Sequence, residues 1–374
     1  MKEQIWATEE GTAAYRDALG DRVSGEHFRN VQGLWWSSVG IGTYLGGHDD
    51  ATDELYRKAV VRAVELGANV IDTAINYRFQ RSERSVGTAL KELAASGVGR
   101  SELVLATKGG FIPFDGAPPK DVRAYFLKTF VEPGILNPRD IVAGCHSLAP
   151  RYLTSQLDQS LRNLAVQCVD VYYVHNPETQ LGELTREEFN GRLVAAFEAM
   201  EAAVTADKIR MYGTATWNGY RNDPEASDYL SLADVVSMAE RAGGKDHHFR
   251  VIQLPLNLGM AEAVTKRNQM VNGRMLTVLE AARELGISVM TSASVLQGQL
   301  TRNLPKFVGE VLDGPTTDGQ RALQFVRSAP GVTTALVGMK QVAHVEENLG
   351  LAGIAPAPQE KFLRLFESAG KRES

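Results

Sequence analysis

The sequence predicts an α/β fold, a (β/α)8 TIM barrel with an N-terminal extension and a long loop after the third strand. Three observations carry this. Eight short apolar or β-branched runs are spread along the chain, amphipathic segments alternate with them, and two of those segments stop at the phrase ELG, at Gly67 and Gly286, just before a strand. Apolar spacing of three and four marks a helix, β-branched runs mark a strand, and glycine suits a left-handed helix stop. Eightfold alternation closes a parallel sheet into a barrel. The competing open, doubly wound sheet announces itself by a glycine-rich turn running from its first strand into a helix. The first strand here gives VGIGTYLGG with no helix directly after it.

In chain order, residues 1–32 form an extension expected to pack across the barrel bottom. Strands are predicted near 37–42, 69–72, 102–108, 168–175, 208–215, 249–254, 288–293 and 333–338. Helices are predicted over 53–67, 82–93, 152–164, 193–204, 229–243, 274–286, 319–329 and from about Gln341. Leu55, Ala59, Val60, Ala63 and Val64 share one face of the first; Leu153, Leu157, Leu161 and Leu164 share one face of the third. The whole chain, 1–374, reads as one barrel domain. PQEKFLRLFESAGK, 358–371, reads as a last amphipathic helix, equally suited to barrel packing and to a dimer contact, so the oligomeric state stays open.

Residues 109–149 separate the third strand from its helix. A connection of that length is commonly functional, and it leaves the C-terminal end of a strand, the active face of a barrel. It is expected to act as a lid over the mouth. Within it, KDVRAYFLKTF predicts a short helix with Val122, Tyr125, Phe126 and Phe130 facing inward.

The composition, 44% hydrophobic and 23% charged, fits a globular protein with a sizeable core. A net charge of −5 gives no basic face for a nucleic acid. No apolar run is long enough for a membrane span, and the polar, acidic start lacks the pattern of a signal peptide. Two cysteines, Cys145 and Cys168, in no metal-like spacing, fit a reducing compartment. The expectation is a cytoplasmic protein.

In a barrel the strand ends share one mouth. The ends of the second, third and fourth strands supply Asp72 with Tyr77, Lys108 and His175. Each alone has an ordinary structural explanation: a turn carboxylate, a packing phenol, a lysine reaching solvent. Together they suggest proton chemistry at an oxygen becoming an alkoxide. A lysine charge beside the phenol would lower its pKa from about 10, and a donor titrating nearer the working pH is a better general acid. Asp72 would hold Lys108, and His175 would orient the substrate oxygen or pass the proton onward. No further histidine or carboxylate completes a metal site; His146, His247 and His248 fall in predicted loops.

These residues resemble the aldo-keto reductase superfamily. DTAINY followed by SERSVGTAL resembles its signature, ATK its lysine strand, and SLRNLAVQCVDVYYVHNPE its third helix and histidine strand. IRMYGTATW, VIQLPLNL, VLQGQL and LVGMKQVAHVEENL resemble its cofactor-binding strands in the family's order, over roughly 33–350. The resemblance implies a catalytic tetrad of Asp72, Tyr77, Lys108 and His175, and hydride transfer between a nicotinamide cofactor and a carbonyl, with Tyr77 as acid and base. It implies cofactor contacts from Thr216, Gln253, Ser292, Gly338, Met339, Lys340, His344, Glu347 and Asn348, with Gln253 beneath the carboxamide and Asn348 at the adenine. NADP(H) is favoured over NAD(H), with Lys340 the nearest cation for a 2′-phosphate; the same lysine also reads as a solvent-facing loop residue.

Two positions depart from the family. Ala215 stands where a serine usually bonds the carboxamide, with Thr216 able to compensate, and Thr291, Ser292 and Ala293 stand where an aromatic usually stacks on the nicotinamide. Tyr44, Phe111, Phe114 and Trp217 are candidate substrate contacts, and the substrate is a small carbonyl or alcohol: a sugar derivative, an aldehyde or a ketone. Besides the oxidoreductase, two readings stay open: a cofactor-binding regulatory barrel, similar to channel-associated members of the superfamily, and an acid–base enzyme of elimination or epimerisation on the same fold.

Overall fold

A computed structural model describes residues 5–370. The first strands, β1 (Phe28–Val31) and β2 (Leu34–Ser37), form an antiparallel hairpin. Its turn, Gln32-Gly33, is left-handed at both residues, as a tight hairpin requires. The hairpin closes the barrel bottom: Leu34 and Trp36 are buried in one cluster with the lowest inward residues of the barrel. Ala7 joins that cluster, and its N–H donates to the buried Asp170 carboxylate. The extension's residues 1–4 lie outside the described residues.

The remaining strands in chain order are β3 (Val39–Gly42), β4 (Val70–Asp72), β5 (Val104–Gly109), β6 (Val169–His175), β7 (Ile209–Ala215), β8 (Phe249–Pro255), β9 (Arg267–Val271), β10 (Arg274–Thr277), β11 (Ser288–Ser292) and β12 (Val332–Gly338). Eight of them close a parallel barrel in the order β11-β12-β3-β4-β5-β6-β7-β8, as the sequence predicts. Outward-facing residues such as Ile41, Ile71, Leu105 and Tyr172 meet the helices in the main core. Inward ones, among them Val70, Val104, Ala106, Val171, Met211, Val251 and Met290, fill the barrel itself.

One predicted element differs. Residues 274–286 are not a single helix: Arg274–Thr277 pairs with β9, and the helix begins at Val278. Asn272-Gly273, both left-handed, makes the turn, and an Asn-Gly pair is the commonest signal of such a hairpin. The last helix, Gln359–Gly370, stacks Phe362 on Phe325 with centroids 5.2 Å apart; Lys371 of the predicted segment lies outside the described residues. Among the described residues, no helix is long and apolar enough to cross a membrane.

The 109–149 connection has a small apolar core of its own, in which Phe130, Leu136 and Tyr152 are buried with Ile112, Tyr125 and Phe126 against them. Val122, expected to face inward, is 54% exposed. The helix Val122–Phe126 widens into a π turn over Leu127–Val131, and the inward face begins at Tyr125 rather than Val122.

Candidate active site

The two-residue period of a strand builds the site. Val70, Ala106, Tyr173 and Val251 point into the barrel. Two residues further along each strand stand Asp72, Lys108, His175 and Gln253, one layer higher. Register keeps them adjacent: Asp72 lies opposite Ala106, Lys108 opposite Tyr173, and His175 opposite Ala215, which lies opposite Gln253.

Lys108 is fully buried. Its Nζ donates to Asp72 Oδ2 at 2.5 Å and to the Thr73 carbonyl at 2.9 Å. Asp72 Oδ1 accepts from Gln253 Nε2 at 2.9 Å. Gln253 therefore holds the tetrad carboxylate, in addition to lining the cavity in which a nicotinamide contact was expected. The ammonium sits 5.0 Å from the Tyr77 ring centroid, and the Tyr77 and His175 rings meet edge to face at 5.9 Å. The four expected catalytic residues thus converge.

Their electrostatics correct one expectation. Tyr77 is held well above the usual phenol range, first by desolvation, then by the Asp72 charge and Tyr44. Burial and the Asp72 carboxylate outweigh whatever the Lys108 ammonium, 5.0 Å from the ring centroid, does to lower it. Lys108 is itself lowered, burial outweighing the Asp72 carboxylate. His175 is held well below the ordinary imidazole range by burial and by the Lys108 charge. The site near neutrality is a protonated phenol facing a neutral imidazole, whose buried Nδ1 has no hydrogen-bond partner.

Directly after Tyr77 the chain runs through three left-handed residues, Arg78 (φ 48°), Phe79 (φ 58°) and Gln80 (φ 70°). Each costs roughly 1–2 kcal/mol for a side chain larger than glycine. Their neighbours hold them. Arg78 Nε donates to the Gly47 carbonyl at 2.7 Å and Nη2 to Asp53 at 2.6 Å. Gln80 Nε2 donates to the Phe114 carbonyl at 3.1 Å, and Gln80 Oε1 accepts from Asn163. Such strain persists where the surroundings over-determine it, and it clusters at functional sites.

The tetrad residues Asp72, Tyr77 and His175 line a cavity of about 540 Å³ with Tyr44, Phe111 and Trp217 at its walls. Tyr44 lies 4.9 Å from the Tyr77 ring, Phe111 lies 5.1 Å from the His175 ring, and Trp217 is 44% exposed at the rim. The turn carrying Trp217 is held by the buried Glu178 carboxylate, which accepts from the Trp217 N–H at 2.7 Å and the Asn218 N–H at 3.2 Å. Phe114, the fourth expected substrate contact, does not line the cavity. Its ring packs between Phe79 and Tyr125, because the chain turns into the lid core after Phe111.

The cavity is also lined by Thr216, Ser292 and Gly338, at the ends of β7, β11 and β12. Thr216 Oγ1 is buried without a partner, and a Cβ added at Gly338 would meet nothing within 4 Å. An orphaned hydroxyl and an open floor fit a polar, flat ligand group there. Lys340 follows half-buried, and His344, Glu347 and Asn348 lie on the helix Val342–Leu349 beyond it. Glu347 accepts from Thr317 Oγ1 at 2.6 Å, and Asn348 is 9% exposed. Met339, expected to contact the cofactor, has its side chain fully buried in the outer core, so it offers a ligand only backbone. Among the described residues no cluster of three or more His, Cys, Asp or Glu could hold a metal ion.

Sequence reasoning missed Asn76, Asn176 and Gln297, which also line the cavity. Asn76 Oδ1 is buried without a partner. The signal was adjacency: Asn76 precedes Tyr77, Asn176 follows His175, and Gln297 sits in VLQG. Asn176 is left-handed (φ 44°), a conformation asparagine tolerates well.

A model of the aldo/keto reductase family matches residues 38–235. The chain is 24% identical over 337 residues to a putative voltage-gated potassium channel subunit beta of Schizosaccharomyces pombe, covering 86% of each. It is 27% identical over 350 residues to the aldo-keto reductase yakc [NADP(+)] of the same organism, covering 86% of this chain and 83% of that protein. Among solved structures, an aldo/keto reductase from Klebsiella pneumoniae in complex with NADP and acetate superposes with a TM-score of 0.61 at 20% identity, over 92% of this chain and 96% of that one. The chain belongs to the aldo/keto reductase family and, as such, is an oxidoreductase.

Proposed function

We propose that this aldo/keto reductase is an NADP(H)-dependent enzyme that interconverts a small carbonyl compound and its alcohol, with Tyr77 as the acid in reduction and the base in oxidation. The observation that carries the reading is the convergence of Tyr77, His175 and the buried Lys108–Asp72 pair at one cavity. When bound, the nicotinamide cofactor supplies or accepts the hydride, which no side chain can do.

The chain's own residues do the rest. The Tyr77 hydroxyl holds the proton that the forming alkoxide takes. His175 orients the substrate oxygen toward that hydroxyl. Lys108, fixed by Asp72 and the Thr73 carbonyl, places positive charge beside the ring and stabilises the phenolate left behind. Tyr44, Phe111 and Trp217 wall the substrate. Thr216 Oγ1 and Ser292 serve the carboxamide side, Gly338 leaves room for the cofactor's backbone, and Asn348 serves the adenine. Lys340 serves a 2′-phosphate, by a charge-assisted contact. The choice of NADP(H) is supported by the names of two relatives, yakc [NADP(+)] and the Klebsiella pneumoniae complex with NADP.

A second reading, a regulatory barrel that binds the cofactor without turning over, is favoured by the likeness to the channel subunit beta. Titration of the purified protein with NADPH and NADH, followed by reduced-nicotinamide fluorescence and then by a carbonyl panel, separates the two. Saturable NADPH binding with turnover, and at least a fivefold loss of NADPH preference in Lys340→Ala, supports the enzyme. Binding without turnover of any carbonyl moves the protein to the second reading. No binding by cofactor-free protein overturns both.

A further inference from the structure

Resting on the oxidoreductase reading, we infer that His146, at the end of the long connection, is a positioning residue that ties the lid's root to the catalytic His175. His146 is fully buried, and its Nε2 lies 2.7 Å from the His175 carbonyl oxygen. Its Nδ1 lies 2.9 Å from Gln180 Nε2. Arg192 Nη1 lies 3.1 Å from the other end of that amide, Gln180 Oε1. A guanidinium only donates, so the Gln180 oxygen must face Arg192 and its NH2 must face His146. Nδ1 is therefore the acceptor, and Nε2–H donates to the His175 carbonyl. The tautomer follows from the chain of donors.

The same imidazole shapes the cavity wall. The Phe111 ring lies edge to face between two histidines, 4.9 Å from His146 and 5.1 Å from His175. Phe111 and His146 also form a backbone bridge at the base of the lid, and the Ser147 N–H donates to the Gly110 carbonyl. The contact has no spare room: a Cβ at Gly110 would come within 2.8 Å of His146 Nε2 and 3.0 Å of the His175 oxygen. Arg192 Nη1 donates in addition to the Asp140 carbonyl of the lid. One donor chain thus fixes the lid, Phe111 and the backbone that carries the His175 ring. Burial holds His146 down at about 4, so it stays neutral near neutrality.

The test uses full-length protein labelled with 15N-histidine, with His146→Gln and His146→Leu beside it. Gln places an amide N–H close to the Nε2 position; Leu keeps volume and removes the donor. In the wild type, the His146 ring signals are expected to be those of a neutral Nε2–H tautomer at pH 6; an Nδ1–H tautomer overturns the assignment, and this arm needs no variant to fold. His175 ring resonances should move in His146→Leu and stay within the wild-type pattern in His146→Gln. With an active carbonyl substrate, His146→Leu should lower kcat/KM about 10-fold or more at an NADPH Kd within twofold of wild type, and His146→Gln should restore most of it. Unmoved His175 resonances in His146→Leu, or equal losses in both variants, overturns the proposal. If wild-type protein turns over no carbonyl, the oxidoreductase reading fails, and the resonances alone decide the role of His146.

Discussion

The two sides of the barrel mouth are built on opposite plans. On the side of β4, β5 and β6 most polar groups are bonded within the protein, Lys108 to Asp72, Asp72 across the mouth to Gln253 of β8, and His146 to the His175 carbonyl, while His175 Nδ1 and Asn76 Oδ1 have no partner. On the side of β7, β11 and β12 they wait for a ligand: Thr216 Oγ1 has no partner, and Gly338 borders open space. On the proposed function the difference follows from the work each side would do. A proton donor must be held in one geometry before the reaction, which favours groups locked by their neighbours. A cofactor that comes and goes needs buried polar atoms left for it, and these cost stability until they are filled.

Breaking the first side should cost turnover. Tyr77→Phe removes the proton donor and leaves the ring contacts to Tyr44 and His175, so kcat should fall by about 10²–10⁴. The NADPH Kd should change less than twofold; a variant with wild-type kcat would remove Tyr77 from the chemistry. The pH profile sharpens the point. Tyr77 is raised above its usual 10.0 and His175 lowered below its usual 6.5, so neither changes charge between pH 6 and 8. The kcat for reduction should be flat there and fall only in alkali, as the phenol loses its proton. Burial pushes Glu178, which holds the Trp217 turn, up to about 7, so a midpoint near 7 in kcat that persists in Glu178→Gln would show that the lysine charge wins after all.

Arg78→Gly tests the strained turn. Glycine removes a left-handed cost of roughly 1–2 kcal/mol, and the substitution also removes the bonds to Gly47 and Asp53. Bonds to a charged group are worth about 1.5–3 kcal/mol each, so the loss outweighs the relief, and the position of Tyr77 loses its clamp. The expected result is a lower Tm with kcat of the folded protein down about tenfold, as misplacement of a reacting group by a fraction of an ångström would give. A large drop in Tm at full kcat would make the turn a folding feature alone.

The smallest effect belongs to the other side. Thr216→Val removes a buried hydroxyl that bonds nothing in the protein, so Tm should hold or rise slightly. Cofactor affinity should fall by a few-fold to tenfold, about 0.5–1.5 kcal/mol for one hydrogen bond. Loss of stability without loss of affinity would place the hydroxyl's partner inside the protein and erase the contrast between the two sides.

The sequence by itself determined the barrel and the meeting of Asp72, Tyr77, Lys108 and His175 at its mouth. Strand period, helix period and their alternation are local properties, and the two-residue repeat that buries Val70 and Ala106 also lifts Asp72 and Lys108 to the mouth. It also contained signals left unread, such as Asn272-Gly273 for the β9–β10 turn and Asn76 beside Tyr77. Other features exist only once the chain is folded. Whether the Lys108 charge or burial wins at Tyr77 depends on distances between strands, and on burial that desolvates both groups together. Phe114 and Met339 read as site residues along the chain, and packing turned one into the lid and the other into the core. His146 reads as a loop histidine, and its tautomer is decided by Gln180 and Arg192, residues 34 and 46 positions away, which meet it only because β6 and the helix that follows it bring them back to the lid. Local pattern is written in neighbouring residues; charge, tautomer and orientation are set by whatever the fold places within a few ångströms.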